Sequence, residues 1–452
     1  MKRILVSLLV LSLIFTTFQA LPTAGQVTVE NELVLISSHT KDILDSFKVA
    51  FQKYCKDVRN TTMTLTYSSP SSEDCYKLAK EWAGKPKADI WWGGGVNLFQ
   101  VATNDKLLMQ YKCKDWAKIP NNLFGISAKD ADGSWTGYAV SGFGLAVHLD
   151  YLKKYNLPEP KTWADLLNPV YSEHIIMCTP ARSGSTHMMV EIVLQGMGAD
   201  AGWAYLRKMA ANVGLFTSRS ADVINDINKG EHGIGLVVDY YGFQSAIAGL
   251  PVKLVYPSDY SLANPDSIAI LAGAPHPEAA KLFLDYLMSE EGQKLVMGIE
   301  QRGVKCPSPR LPVRTDLAIP SYLPDITKMK MITYNEPLAN DRQRDVNSIY
   351  ENTIEKKHAE LKDAWKAIQS AKANLNELAG KGYDVKDALG RLSAAEVLFG
   401  QGDYQKAKTE VEAVVGLAKA PPPYETYAVI VVAVLVLVAA AFFLYKKKKK
   451  AK

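Results

Sequence analysis

Ala88-Asp-Ile-Trp-Trp-Gly-Gly-Gly95 decides the fold class of this chain. Ala88 to Trp92 reads as a buried strand: the run is short, rich in β-branched and aromatic side chains, and stops at glycine. The glycines permit a tight turn and let a second group approach the backbone closely. A helix is expected from near Val96. Working outward, the same alternation repeats. Leu33 to Ile36 is an apolar run, followed by an amphipathic helix from about Lys41 to Tyr54. Thr62 to Tyr67 alternates as a strand, and Ser72 to Ala83 reads as helix. His174 to Cys178 is a strand ending at Thr179-Pro-Ala-Arg-Ser-Gly-Ser185. Helices are expected from about Thr186 to Leu194 and Ala201 to Ala211. Ser220 caps a helix that stops at Gly230, and the strand Gly233 to Val238 runs into Asp239-Tyr240-Tyr241. Strands interleaved with helices predict an α/β fold with mostly parallel sheets.

The chain has 452 residues, 22% charged and 48% hydrophobic, with a formal net charge of +5. The length suggests two to three domains. The composition excludes collagen-like, disordered and disulfide-framework proteins. The positive charge sits at the ends. With Lys2, Arg3 and the six lysines Lys446 to Lys450 and Lys452 set aside, the rest carries −3. Nucleic-acid binding therefore loses its electrostatic warrant.

Lys2 and Arg3 precede an apolar run from Ile4 to Phe15, and small residues with a proline follow at Ala20 to Gly25. This is the pattern of a secretory signal peptide over residues 1–25. Tyr427 to Tyr445 is free of charge and about one bilayer long, with a tyrosine at each edge. The lysine run beyond it belongs on the cytoplasmic side. The expectation is a single-pass cell-membrane protein with an extracellular body and a cytoplasmic tail, 446–452. Five cysteines stand at positions 55, 75, 113, 178 and 306. Disulfides are permitted outside the cell, but an odd number leaves at least one thiol over. Cys55 with Cys75 is one pairing the sequence allows. No Cys or His spacing resembles a zinc site. Asn60-Thr61-Thr62 is a glycosylation sequon.

Residues 342–418 change character. They are rich in Ala, Lys, Glu and Leu, with apolar positions 361, 365, 368, 375 and 378 at helical spacing. Gly380-Lys-Gly382 and Gly400-Gln-Gly-Asp-Tyr404 divide the segment into three helices. The expectation is a helical stalk, joined by a proline-rich linker over 419–426 to the membrane.

The run from about Leu33 to Arg302 resembles extracellular solute-binding proteins of ABC importers, in the type 2 group that includes ferric-iron binders. The resemblance rests on Leu33 to Thr40, on Ala88 to Gly95, and on Tyr138 to Leu149 with Gly142-Phe143-Gly144. It also rests on Leu262-Ala-Asn-Pro-Asp-Ser-Ile-Ala-Ile270. The most specific match is Gly273-Ala-Pro-His-Pro-Glu-Ala-Ala-Lys-Leu-Phe283, continuing to Ser289-Glu-Glu-Gly-Gln293. The resemblance implies a two-lobed domain over 26–335. Lobe one would use about 30–135 and 270–325, and lobe two about 145–260. Two hinge crossovers would let the lobes close on a small solute. An ABC permease in the membrane would be the partner.

Two loops are candidate anion sites because helix N-termini carry free N–H groups and partial positive charge. These are Gly93, Gly94 and Gly95 in one lobe, and Ser183, Gly184, Ser185 and Thr186 in the other. Ser37, Ser38 and His39 follow the first strand, and Ser220 with Ser218 and Arg219 forms a third polar loop. Tyr240 and Tyr241 resemble the paired phenolates of the iron-binding relatives, so ferric iron, Fe(3+), with a synergistic anion is the first expectation for cargo. The chain departs from that pattern. Gly93 or Gly94 stands where some iron binders carry an acidic ligand. A small organic phosphate or other oxyanion is the alternative cargo. Asp239 and Asp266 hold either basic groups of the cleft or the hinge. No catalytic string such as G-x-S-x-G, H-E-x-x-H or a P-loop is present, so no enzyme is expected. A sensor reporting through a membrane partner is the further alternative.

Overall fold

The computed structural model describes residues 28–421, except 324, 327 and 328, and residues 431–438. The expected signal peptide and basic tail lie outside the described residues. So does most of the expected span: only Val431–Val438 are described, as exposed helix. Among the described residues no helix is long and apolar enough to cross a membrane.

The main strands are β1 (Glu32–Ser37), β2 (Thr64–Ser68), β3 (Ile90–Gly95), β4 (Thr136–His148), β5 (Ile175–Cys178), β6 (Val213–Thr217), β7 (Ile234–Val238), β8 (Val252–Val255) and β9 (Ala263–Leu271). They lie in one sheet in the order β2-β1-β3-β9-β4-β7-β5-β6, with β8 paired to β4. β1, β2 and β3 are mutually parallel and belong to lobe one. β5, β6 and β7 are parallel and belong to lobe two.

The quoted stretch explains lobe one. Successive side chains of a strand point to opposite faces. Trp91 therefore stacks on Phe99, 4.2 Å between ring centres, while Trp92 meets Phe47 on the other face at 5.2 Å. Helix α1 (Lys41–Arg59) supplies Phe47 and buries Ile43, Leu44, Ala50 and Phe51 along the same face. It runs past the expected Tyr54 and stops at Asn60, which is left-handed with φ 51°.

Two strands join the lobes. The first half of β4, Thr136–Gly142, pairs with β9, and the second half, Phe143–Val147, with β7. β4 is buried along its whole length, as a strand covered on both faces should be. These are the two crossovers that the resemblance implies.

The other main helices of the two lobes, apart from a short one at Leu149–Lys154, are α2 (Ser72–Glu81), α3 (Val96–Asn104), α4 (Gly184–Met197), α5 (Ala199–Ala210), α6 (Ser220–Lys229), α7 (Asp239–Ile247), α8 (Pro277–Met288) and α9 (Glu290–Val296). α4 begins two residues before the expected Thr186 because Ser183 caps it, accepting from the Thr186 amide. Ser220 is the first helical residue of α6 rather than its cap, and Arg219 holds the cap position.

The C-terminal region is helical: α10 (Glu336–Tyr350), a π turn over Glu351–Glu355, α11 (His358–Gly380), α12 (Lys386–Gln401) and α13 (Tyr404–Val414). Leu361, Trp365, Ile368, Leu375, Leu392, Phe399 and Tyr404 are buried among these helices. The helices expected as a stalk lie against lobe two. Arg207 of α5 donates to the Gly400 carbonyl at 2.7 Å, and His358 Nε2 lies 3.0 Å from the Ala210 carbonyl. All five cysteines are free and buried, so the Cys55–Cys75 pairing the sequence allows is not formed.

Candidate functional site

The lobes touch across their facing edges. The Gly184 amide donates to Ser72 Oγ at 2.9 Å, and the Gln244 side chain donates to Asp42 at 2.7 Å. Between the lobes lies a small cavity. Lobe one contributes Ser38, His39, Ser71, Ser72, Gly94 and Gly95; lobe two contributes Arg182, Ser183, Ser185, Arg219, Ser220, Tyr240 and Tyr241. The crossovers add Ser141, Phe143, Asn264 and Asp266.

Four residues of the expected set stand behind this wall. Ser37 is fully buried, and its Oγ accepts the His39 amide at 3.2 Å. Gly93, at φ +97°, leaves room for the His39 ring, which a Cβ would meet at 2.6 Å. Gly184 is occupied with Ser72 across the lobes, and the Thr186 amide bonds Ser183 Oγ at 3.2 Å. Ser71, Ser72, Ser141, Arg182 and Asn264 were not singled out from sequence. Arg182 lies inside the quoted turn Thr179–Ser185, where its charge was the available signal.

Five helices, α2, α3, α4, α6 and α7, begin at this cavity. Each N-terminus carries partial positive charge and free amides. α3 and α6 have no side-chain cap bonded to those amides, while at α7 the Asp239 carboxyl bonds the Tyr240 amide. Two guanidiniums line the wall: Arg219, and Arg182, which is paired with Glu355 at 2.6 Å. A third, Arg310, lies beneath it with a side chain only 1% exposed. It sits 4.9 Å from the ring centre of Tyr138 and 4.8 Å from that of Tyr240, and pairs with Asp266 at 3.0 Å.

These surroundings set the ionisation of the wall. Burial pushes the Tyr240 phenol well above its ordinary range, and the adjacent Tyr241 adds to the effect. Burial also raises Tyr241. His39 is held well below its usual value by burial and then by Arg310. Its Nε2 lies 2.5 Å from the Tyr138 hydroxyl. Burial raises Asp266, opposed by Arg310. The cavity thus presents neutral phenols, a neutral imidazole and converging positive dipoles. Among the described residues no group of three or more His, Cys, Asp or Glu side chains converges on a metal position.

The hinge carries its own carboxylate. Asp239 accepts the Gly142 amide at 2.7 Å and the Tyr256 hydroxyl at 2.9 Å. Gly142 is the residue at which β4 changes partner. Burial raises Asp239 to about 7, opposed by these two hydrogen bonds. Of the two aspartates singled out from sequence, Asp266 holds a basic group and Asp239 holds the hinge.

Comparison with known proteins places this geometry. The phosphoglycerate transport regulatory protein PgtC of Salmonella typhimurium is 32% identical over 237 residues, covering 52% of this chain and 58% of its own length. The chain thus spans little more than half of that relative. The periplasmic binding protein AfuA of Actinobacillus pleuropneumoniae, solved with fructose-6-phosphate, superposes with a TM-score of 0.65 at 21% identity, covering 72% of this chain and 98% of its own. Iron-bound HitA of Pseudomonas aeruginosa superposes at 0.58 with 18% identity, covering 71% of this chain and 99% of its own. Those two likenesses establish the shared fold. Residues 85–334 match the model of a family described as bacterial extracellular solute-binding protein. With its two lobes, paired crossovers and interlobe cavity, the chain belongs to the bacterial extracellular solute-binding protein family.

Proposed function

We propose that the protein captures a small organic phosphate outside the cell and delivers it to an ABC-type importer in the membrane. The observation that carries the reading is the convergence of five helix N-termini with Arg182 and Arg219 on one small cavity. A phosphate ester matches it: its oxygens accept several amide and guanidinium hydrogen bonds at once. The names of PgtC and of the AfuA complex support the same ligand class. The ligand is held and released unchanged.

Ferric iron with a companion anion is the second reading, favoured by Tyr240 and Tyr241 on the cavity wall. Iron would have to deprotonate two phenols that burial raises, and Arg310 beside Tyr240 favours that phenolate while repelling the cation itself. The phosphate reading needs no such ionisation.

The C-terminal part extends the proposal. Val431–Val438 is an apolar, exposed helix between the prolines at 421–423 and the lysine run, which supports a single-pass anchor over 427–445. Carbonate extraction of membranes checks the anchor: an anchored chain stays in the pellet.

Calorimetry of the purified full-length chain tests the ligand. Glycerol 3-phosphate or fructose 6-phosphate should bind with one-to-one stoichiometry. A visible phenolate-to-iron band with ferric citrate, lost in Tyr240→Phe and Tyr241→Phe, together with no heat from either phosphate ester, would replace the phosphate reading by the iron one.

A further inference from the structure

We propose that the segment Tyr334–Tyr350 is a latch that rides on lobe two and bites lobe one, holding the cleft shut. The inference rests on the reading of the cleft as a ligand site. The segment begins where the family match ends, at residue 334.

Its grip on lobe two is strong. Arg342 makes paired contacts to Glu191 of α4, at 3.0 and 2.6 Å, and the Glu191 side chain is wholly buried. Asn347 meets His187 one turn further along the same helix, at 3.0 Å. Tyr350 is fully buried, with its hydroxyl 3.5 Å from Met177 Sδ of β5. A buried carboxylate whose partner is removed leaves an uncompensated charge, so this side of the latch resists detachment.

Its grip on lobe one uses hydrogen bonds, with Arg344 adding a longer-range attraction to Asp105. Tyr334 shares a hydrogen bond with Asn97 of α3 at 3.2 Å. Glu336 accepts the Ser127 amide at 3.0 Å, and Gln343 donates to Glu73 of α2 at 3.2 Å. Such bonds are individually worth about 1 kcal/mol and exchange readily with water. When the lobes part, these three contacts break together with the direct ones, Gly184 to Ser72 and Gln244 to Asp42.

The latch also reaches the ligand wall. The π turn that follows it places Glu355 on Arg182, at 2.6 Å. Arg182 lines the cavity from lobe two. The seat of the latch and the cationic wall are thus joined through one side chain.

Inter-lobe distances in the ligand-free full-length chain test the latch. Spin labels go on cysteines placed at Val58 in lobe one and Leu215 in lobe two, both exposed, while the native thiols are buried. The double variant Tyr334→Phe with Gln343→Ala should raise the long-distance, open population at least about twofold over the parent. Should that variant unfold, Glu336→Ala alone carries the same expectation. An unchanged distance distribution in a variant that melts with the parent overturns the latch. Because no ligand is present, failure of the phosphate reading does not alter this outcome.

Discussion

Arg310 lies with its guanidinium 4.8 Å from the ring centre of Tyr240, beneath the ligand cavity and out of reach of solvent. A full positive charge is therefore fixed behind the phenol that would have to ionise to hold a metal. Arg310→Leu removes that charge and strands Asp266, whose guanidinium partner it is. The expected cost is about 3–5 kcal/mol in urea denaturation, with weaker binding of phosphate esters by calorimetry.

Arg182 and Arg219 face the cavity from two different helix starts. Arg219→Ala should lower affinity for glycerol 3-phosphate by about 10- to 100-fold, as a lost charge-assisted hydrogen bond does. The melting temperature of the ligand-free protein should stay close to the parent value, because among the described residues Arg219 makes no ion pair and its side chain bonds only part-buried Ser69, at 3.3 Å. Equal affinity in the variant would remove Arg219 from the site.

Tyr240→Phe and Tyr241→Phe separate the two cargo readings. Under the phosphate reading each loses at most one hydrogen bond to the anionic phosphate, about 1.5–3 kcal/mol, or roughly 10- to 150-fold in affinity, and binding persists. Titrating each variant with fructose 6-phosphate measures this. Under the iron reading either change abolishes ferric binding.

Asp239 links the hinge to pH. Its carboxyl is raised by burial to about 7, against an ordinary 3.8, so the folded state keeps a proton that the unfolded chain has lost between those values. The stability it contributes is complete below pH 4 and is lost as pH rises toward 7. Asp239→Asn should flatten that slope, read as the pH dependence of the urea midpoint from pH 4 to pH 8. Glu73, also raised to about 7 by burial, contributes a slope of the same sign that the substitution leaves in place.

Gly93 is held at φ +97° with the His39 ring 2.6 Å from where a Cβ would stand. Gly93→Ala adds both backbone strain and a clash. It should destabilise the protein by about 2 kcal/mol or more, seen as a lower thermal midpoint.

Much of the fold was legible because its strands are short apolar runs closed by glycine or serine turns. Ile234–Val238 falls within one residue of where its sequence places it, whereas Ile90–Gly95 starts two residues after the expected Ala88 and runs on through the three glycines. The same rule exposed Gly94, Gly95, Ser183 and Ser185 as helix starts, and all four line the cavity. What sequence could not supply was depth. Ser37, Gly93, Gly184 and Thr186 sit one residue away from lining positions and serve them from behind. Ser71 and Ser72 reach the site only through the facing of the two lobes, a relation between distant segments. The C-terminal helices were visible from their periodicity, but their contact surface was not. Arg207 and Gly400 are 193 residues apart in sequence.

The bundle fixed to α5 through Arg207 and His358 makes the two halves mechanically unequal. Any anchor beyond residue 421 would pull on lobe two, since the chain leaves the body from that side. Lobe two would then be the stator and lobe one the moving jaw, and a transporter waiting below would meet the filled and empty forms chiefly as two attitudes of the first lobe.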